Sequence, residues 1–164
     1  MSGLVLIVDD DEALSENLAE IIGTLGVRTM IARDRESALS LATTHDFDVA
    51  LIDVRLPDGD GMSLLGPLRA RSPYLQSVMV TGNASVEGAI AAVRGAAFAY
   101  VLKPVSPPDL LETTRRALDQ AALYRLLKEK LPGTTMVSIG HRAGLAEFHA
   151  RRLAWQGQAL NPGM

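Results

Sequence analysis

Between Leu4 and Leu102, five short apolar runs alternate with stretches whose apolar residues recur at helical spacing. Val49-Ala50-Leu51-Ile52 is the plainest of these runs, broken off by Asp53 and then by Pro57, Gly59 and Gly61. A run of β-branched and aliphatic residues with no polar alternation reads as a strand buried on both faces. Leu4 to Val8 has the same character, and Val27 to Ala32, Ser77 to Val80 and Tyr100 to Leu102 complete the set. Parallel strands need crossovers, and the intervening segments supply helices for them. Leu14, Leu18, Ile21, Ile22 and Leu25 mark the first helix, with Gly26 as its stop; Ala38, Leu39 and Leu41 mark a second behind a capping Asp34. Leu64, Leu65 and Leu68 mark a third, an Ala-rich segment from Ser85 to about Arg94 a fourth, and Pro107, Pro108 and Asp109 open a fifth. The fold class expected is α/β, a doubly wound five-stranded parallel sheet with a C-terminal appendage.

The strand ends carry the chemistry. The first run stops at Asp9 and Asp10, the third at Asp53, the fourth at Thr81 and the fifth at Lys103. In an open parallel sheet the carboxyl ends of the strands share one rim, where ligands bind. Three carboxylates, one hydroxyl and one ammonium are therefore expected in one pocket. Taken singly, each has a plain explanation: Asp9 to Asp11 as a helix cap, Thr81 as a strand-end hydroxyl, Lys103 as a surface charge. Their joint occurrence at four strand ends favours a site. Tyr100 reads equally well as a core tyrosine, and Asp58 and Asp60 read as turn formers.

Clustered carboxylates repel unless a proton or a cation joins them. Magnesium takes oxygen ligands and keeps several waters, so one or two carboxylates plus a phosphate oxygen suit it. The Lys103 ammonium and the Thr81 hydroxyl suit an anion. These types fit phosphoryl chemistry, in which one carboxylate accepts the group as an aspartyl phosphate. Asp53 is the choice for that role, because the adjacent Asp9 and Asp10 are better arranged to hold the metal. Thr81 would then sense the product, its displacement amplified by a packed interior.

Composition narrows the setting. The 164 residues carry a net charge of −3 with acidic and basic residues interspersed, which gives no electrostatic footprint for nucleic acid or for an anionic membrane surface. There is no cysteine, so thiol chemistry and thiolate metal sites are excluded. No apolar stretch approaches the roughly 18 residues of a membrane span, and the N-terminus lacks the pattern of a secretion signal. The expected location is cytoplasmic.

From about residue 3 to 120 the chain resembles the receiver domain of two-component response regulators. Ile7-Val8-Asp9-Asp10-Asp11 is similar to that family's acidic motif, Asp53 aligns with its phosphoacceptor, and Pro57 and Gly61 match the turn behind it. Thr81-Gly82 resembles its switch hydroxyl with a small neighbour, Tyr100 its switch aromatic, and Lys103-Pro104 its lysine followed by a proline with a cis peptide bond. The resemblance implies a flavodoxin-like strand order of 2-1-3-4-5. It also implies magnesium bound directly by Asp10 and Asp53, through water by Asp9, and by the backbone carbonyl of Arg55. The partners implied are a sensor histidine kinase or phosphotransfer protein and a downstream output protein, with a homodimer possible. The stretches Val80 to Ser85 and Gly95 to Tyr100 are most similar to receivers that precede transcription-activating output domains. Such a domain is a phosphorylation-dependent signalling switch rather than an enzyme. The rival reading is an interaction module that binds its partner regardless of phosphorylation.

Residues 1–122 form the expected receiver unit, and 123–164 a C-terminal extension with no complete output domain. Helical spacing persists through Leu123, Leu126, Leu127 and Leu131, but the apolar face changes. Either the helix extends to bury a second face or a different module begins. From about Leu123 to Leu153 the chain resembles the last portion of an ABC-transporter ATPase, with His141 at the position of its switch histidine. No G-x-x-x-x-G-K-[ST] loop occurs, so this extension cannot build a nucleotide site by itself.

Overall fold

The structure, a computed structural model, describes residues 3–82 and 97–130. The expected fourth helix from Ser85, and Leu131 and His141 of the extension, lie outside the described residues. The main sheet has five parallel strands: β1 (Leu4–Val8), β2 (Arg28–Ala32), β3 (Val49–Asp53), β4 (Gln76–Thr81) and β5 (Ala99–Leu102). Their spatial order is β2-β1-β3-β4-β5, the order that the resemblance implied. Register is fixed by apolar partners, Val5 opposite Val49, Leu6 opposite Ala50 and Ile52 opposite Met79 among them.

Alternate residues of each strand feed two cores. Leu4, Leu6, Val8, Ala50, Ile52 and Met79 face one cluster, which α2 (Arg35–Thr44) and α3 (Leu65–Arg71) close with Ala38, Ala42, Leu65 and Leu68. Val5, Ile7, Val49, Leu51, Val78 and Val80 face the other, closed by Leu18 and Ile22 of α1 (Glu12–Gly23) and Leu110, Ala117 and Leu118 of α4 (Pro107–Lys130). All five residues of β1 are buried. Each fully buried aliphatic side chain contributes about 1.5–3 kcal/mol, which is why the runs of β1, β3 and β4 lie inside the sheet while the partly buried β2 and β5 form its edges.

The helix boundaries follow local chemistry. Asp11 caps α1 by accepting from the Leu14 N–H at 3.0 Å, and Asp34 caps α2 in a reciprocal box with Ser37. Gly26 stands three residues beyond the end of α1, where the chain turns through the left-handed region at φ 75°. The expected third helix divides: Gly61–Leu64 is a 3₁₀ turn, capped by Asp60, and α3 proper starts at Leu65. Among the described residues the expected C-terminal helical pattern forms, α4 running unbroken from Pro107 to Lys130. Leu123 and Leu126 on it are about half exposed, at 52 % and 50 %. Arg125 turns back toward the sheet, pairing with Asp48 at 2.8 Å and lying 5.9 Å over the Tyr74 ring.

Candidate functional site

The carboxyl rim gathers the expected residues from three separate strand ends. Asp9 follows β1, Asp53 closes β3, and Lys103 follows β5. The Lys103 ammonium donates to Asp53 Oδ2 at 2.5 Å and to Asp9 Oδ2 at 2.8 Å. Asp9 is 1 % exposed and its other oxygen accepts from the Asp11 N–H at 2.9 Å. The acidic run thus divides its work: Asp11 caps α1, Asp9 is buried in the pocket, and Asp10 stands exposed at its mouth.

Asp9, Asp10 and Asp53 each offer an oxygen within 4.8 Å of the other two. Three carboxylates against one ammonium leave a formal charge of −2, which a divalent cation would balance. The donors are all hard oxygens, and exposed Asp10 leaves room for water, so the set fits magnesium. Burial works against the charge on Lys103, but hydrogen bonds and attraction from Asp53 and Asp9 outweigh it and hold its pKa above the usual lysine value.

Thr81 is the last residue of β4, one step beyond Val80, the partner of Asp53 in the sheet. It is buried, and its carbonyl accepts from the Lys103 N–H at 2.8 Å. The Lys103-Pro104 bond is cis, as the resemblance implied. Tyr100 packs half-buried against the first core, its hydroxyl 3.9 Å from Met62 Sδ. Burial, and then the nearby charge of Asp60, push its phenol upward. Arg55 N–H donates to Asp53 Oδ1 at 3.0 Å, and its own side chain is exposed.

Behind Asp53 the chain forms a hairpin, Arg55–Leu56 pairing antiparallel with Gly59–Asp60 across Pro57 and Asp58. Gly61 at its base lies so close to β3 that an added Cβ would stand 1.9 Å from the Asp53 carbonyl oxygen. Asp58 and Asp60 do more than shape this turn. Asp60 caps the 3₁₀ turn, and Asp58 caps α2 from a distance of more than twenty residues. Nothing local in the sequence signals that second contact.

A family model for the response regulator receiver domain matches residues 5–115. The chain belongs to the receiver domain family. This receiver is 36 % identical over 113 residues to the response regulator protein PilR of Pseudomonas aeruginosa and 37 % identical over 122 residues to FleR of the same organism. Those matches cover 69 % and 73 % of the chain, but the chain spans only about a quarter of the relatives' length, 25 % and 26 %. Among solved structures, a CheY-like receiver domain protein from Methanospirillum hungatei matches with a TM-score of 0.70 and 35 % identity, covering 75 % of this chain and 98 % of that one. NtrX from Brucella abortus matches with a TM-score of 0.73 and 28 % identity, covering 85 % of this chain and 32 % of that one. Receiver domains are signalling domains of two-component systems, working with histidine kinases and output domains and binding magnesium at an acidic pocket. The family match stops short of the extension in which the ABC-transporter likeness lies, so that likeness finds no support. Among the described residues, no helix is long and apolar enough to cross a membrane.

Proposed function

We propose that this receiver is a phosphorylation-dependent switch in which Asp53 accepts a phosphoryl group from the phosphohistidine of a partner kinase or phosphotransfer protein. The observation that carries this reading is the Lys103 ammonium bonded at once to Asp9 and Asp53, beside a third carboxylate, on the open rim of the sheet. An Asp53 carboxylate oxygen attacks phosphorus, the phosphorus–nitrogen bond breaks, and the imidazole nitrogen leaves with the electron pair. Asp9, Asp10 and Asp53, with the Arg55 carbonyl, would hold magnesium, which when bound supplies positive charge to the transferring oxygens. Lys103 meets the charge that grows on those oxygens from its own side, already placed by its two ion pairs. Thr81 at the end of β4 donates its hydroxyl to the new phosphoryl group, and Tyr100 repacks on the core as that loop shifts. Water later cleaves the acyl phosphate slowly. The output controlled is transcription, in keeping with relatives such as the alginate biosynthesis transcriptional regulatory protein AlgB of Pseudomonas syringae.

Incubation with a small acyl phosphate and magnesium, read by intact-protein mass spectrometry, tests the assignment. The wild-type chain should gain one phosphoryl group in a magnesium-dependent manner, and Asp53→Asn should gain none. Unchanged labelling of Asp53→Asn would overturn it.

A further inference from the structure

The hairpin after Asp53 is anchored at both ends, and its far anchor belongs to another part of the fold. At the base, Gly61 N–H donates to the Val54 carbonyl at 2.9 Å and the Gly61 backbone presses on β3. At the tip, the Asp58 carboxylate accepts from the Arg35 N–H at 3.0 and 2.9 Å and from the Glu36 N–H at 3.1 Å. These are the first two N–H groups of α2, donors that the helix itself cannot satisfy. The next, Ser37 N–H, goes to Asp34 at 2.7 Å, so two aspartates from different segments divide the helix end between them. The Arg35 Nη1 closes the clamp by donating to the Asp58 carbonyl at 3.1 Å. Gly59, at φ 138°, makes room for it: a Cβ there would stand 2.9 Å from the same nitrogen.

Two residues per strand are too few for a hairpin to hold its own shape. Its geometry depends on the anchors. We propose that Asp58, clamped on the N-terminus of α2 by Arg35, is a positioning residue for the cation site, fixing the hairpin whose base carries Arg55 next to Asp53. This inference rests on the magnesium reading above. Asp58 touches none of the three clustered carboxylates; it acts through the hairpin backbone, as outer-shell partners of metal ligands do.

The test uses the full chain and magnesium alone, with affinity measured by titration calorimetry and folding stability by thermal melting. Asp58→Ala should bind magnesium about tenfold more weakly, the scale on which outer-shell partners act. Asp58→Asn removes the same charge but keeps a capping oxygen, and should bind close to wild type. Asp34→Ala removes the other cap from the same helix without touching the hairpin; it should lower the melting temperature comparably and leave magnesium affinity unchanged. Wild-type affinity in Asp58→Ala, or an equal loss in Asp34→Ala or Asp58→Asn, would overturn the proposal. A wild-type chain that takes up no magnesium, or an Asp53→Asn chain that binds it undiminished, would remove the reading beneath the proposal and the proposal with it.

Discussion

Gly61→Ala is expected to be among the most damaging single-methyl changes in this receiver, although Gly61 lies outside every long element. Its added Cβ would meet the Asp53 carbonyl oxygen at 1.9 Å, and the Asp53 carbonyl carbon and Ile52 Cγ2 at 3.0 Å each. Relief to an ordinary contact requires an opening of about 1.5 Å between the hairpin base and β3, given that such contacts begin at 3.4 Å. The strand cannot yield, because Asp53 is registered against Val80 in the middle of the sheet. The hairpin must move instead. It then loses the Gly61–Val54 hydrogen bond, worth about 0.5–1.5 kcal/mol, and strains the Asp58 cap on α2, worth about 1 kcal/mol. With the residual clash the loss comes to about 2–4 kcal/mol, which lowers the melting temperature by roughly 10 °C. Gly66→Ala is the matched control: nothing lies within 4 Å of its Cβ position, and it sits in α3. There alanine should be neutral or stabilise by up to about 1 kcal/mol. Circular-dichroism melts and urea midpoints of both variants decide the matter. A Gly61→Ala chain that melts within about 2 °C of wild type, or a Gly66→Ala chain that falls equally, would refute the packing argument.

Asp48 should matter more than Arg125, though they form one ion pair. Asp48 is buried and also accepts from the Leu4 N–H at 2.9 Å, so Asp48→Ala strands a buried donor at about 1–3 kcal/mol, whereas Arg125→Ala removes an arginine that is 40 % exposed, at about 0.2–1 kcal/mol; urea midpoints that rank the two the other way would contradict this. Lys103 has its folded pKa raised, so its ammonium contributes stability that is fully present below the ordinary lysine value and is lost as pH rises through the folded one. The stability difference between wild type and Lys103→Gln should therefore be flat from about pH 6 to 9 and shrink only above about 10.4; a difference that changes near neutrality would show that another group governs the pocket.

The sequence alone determined the five strands, their parallel arrangement and the polar residue at each site-bearing strand end. Those are local properties: an unbroken apolar run declares burial on both faces, and a strand's last residue declares the rim it reaches. That is why Asp9 and Lys103, separated by 94 residues, were expected to share a pocket. Tertiary structure decided what each carboxylate does. The sequence paired Asp9 with Asp10 as metal holders and left the helix cap open among Asp9 to Asp11; once α1 packs, Asp11 caps it through the Leu14 N–H, Asp9 is buried against Lys103, and Asp10 is left at the mouth. Asp58 looked like one more turn residue until the hairpin met α2, and Arg35 carried no signal because its partner stands 23 residues away. The pairing of Arg125 with Asp48 was equally hidden, although helical spacing had already carried the last helix past Leu123. Periodicity and capping preferences act within a turn or two of chain, whereas these contacts exist only after the crossovers bring distant loops to the same end of the sheet.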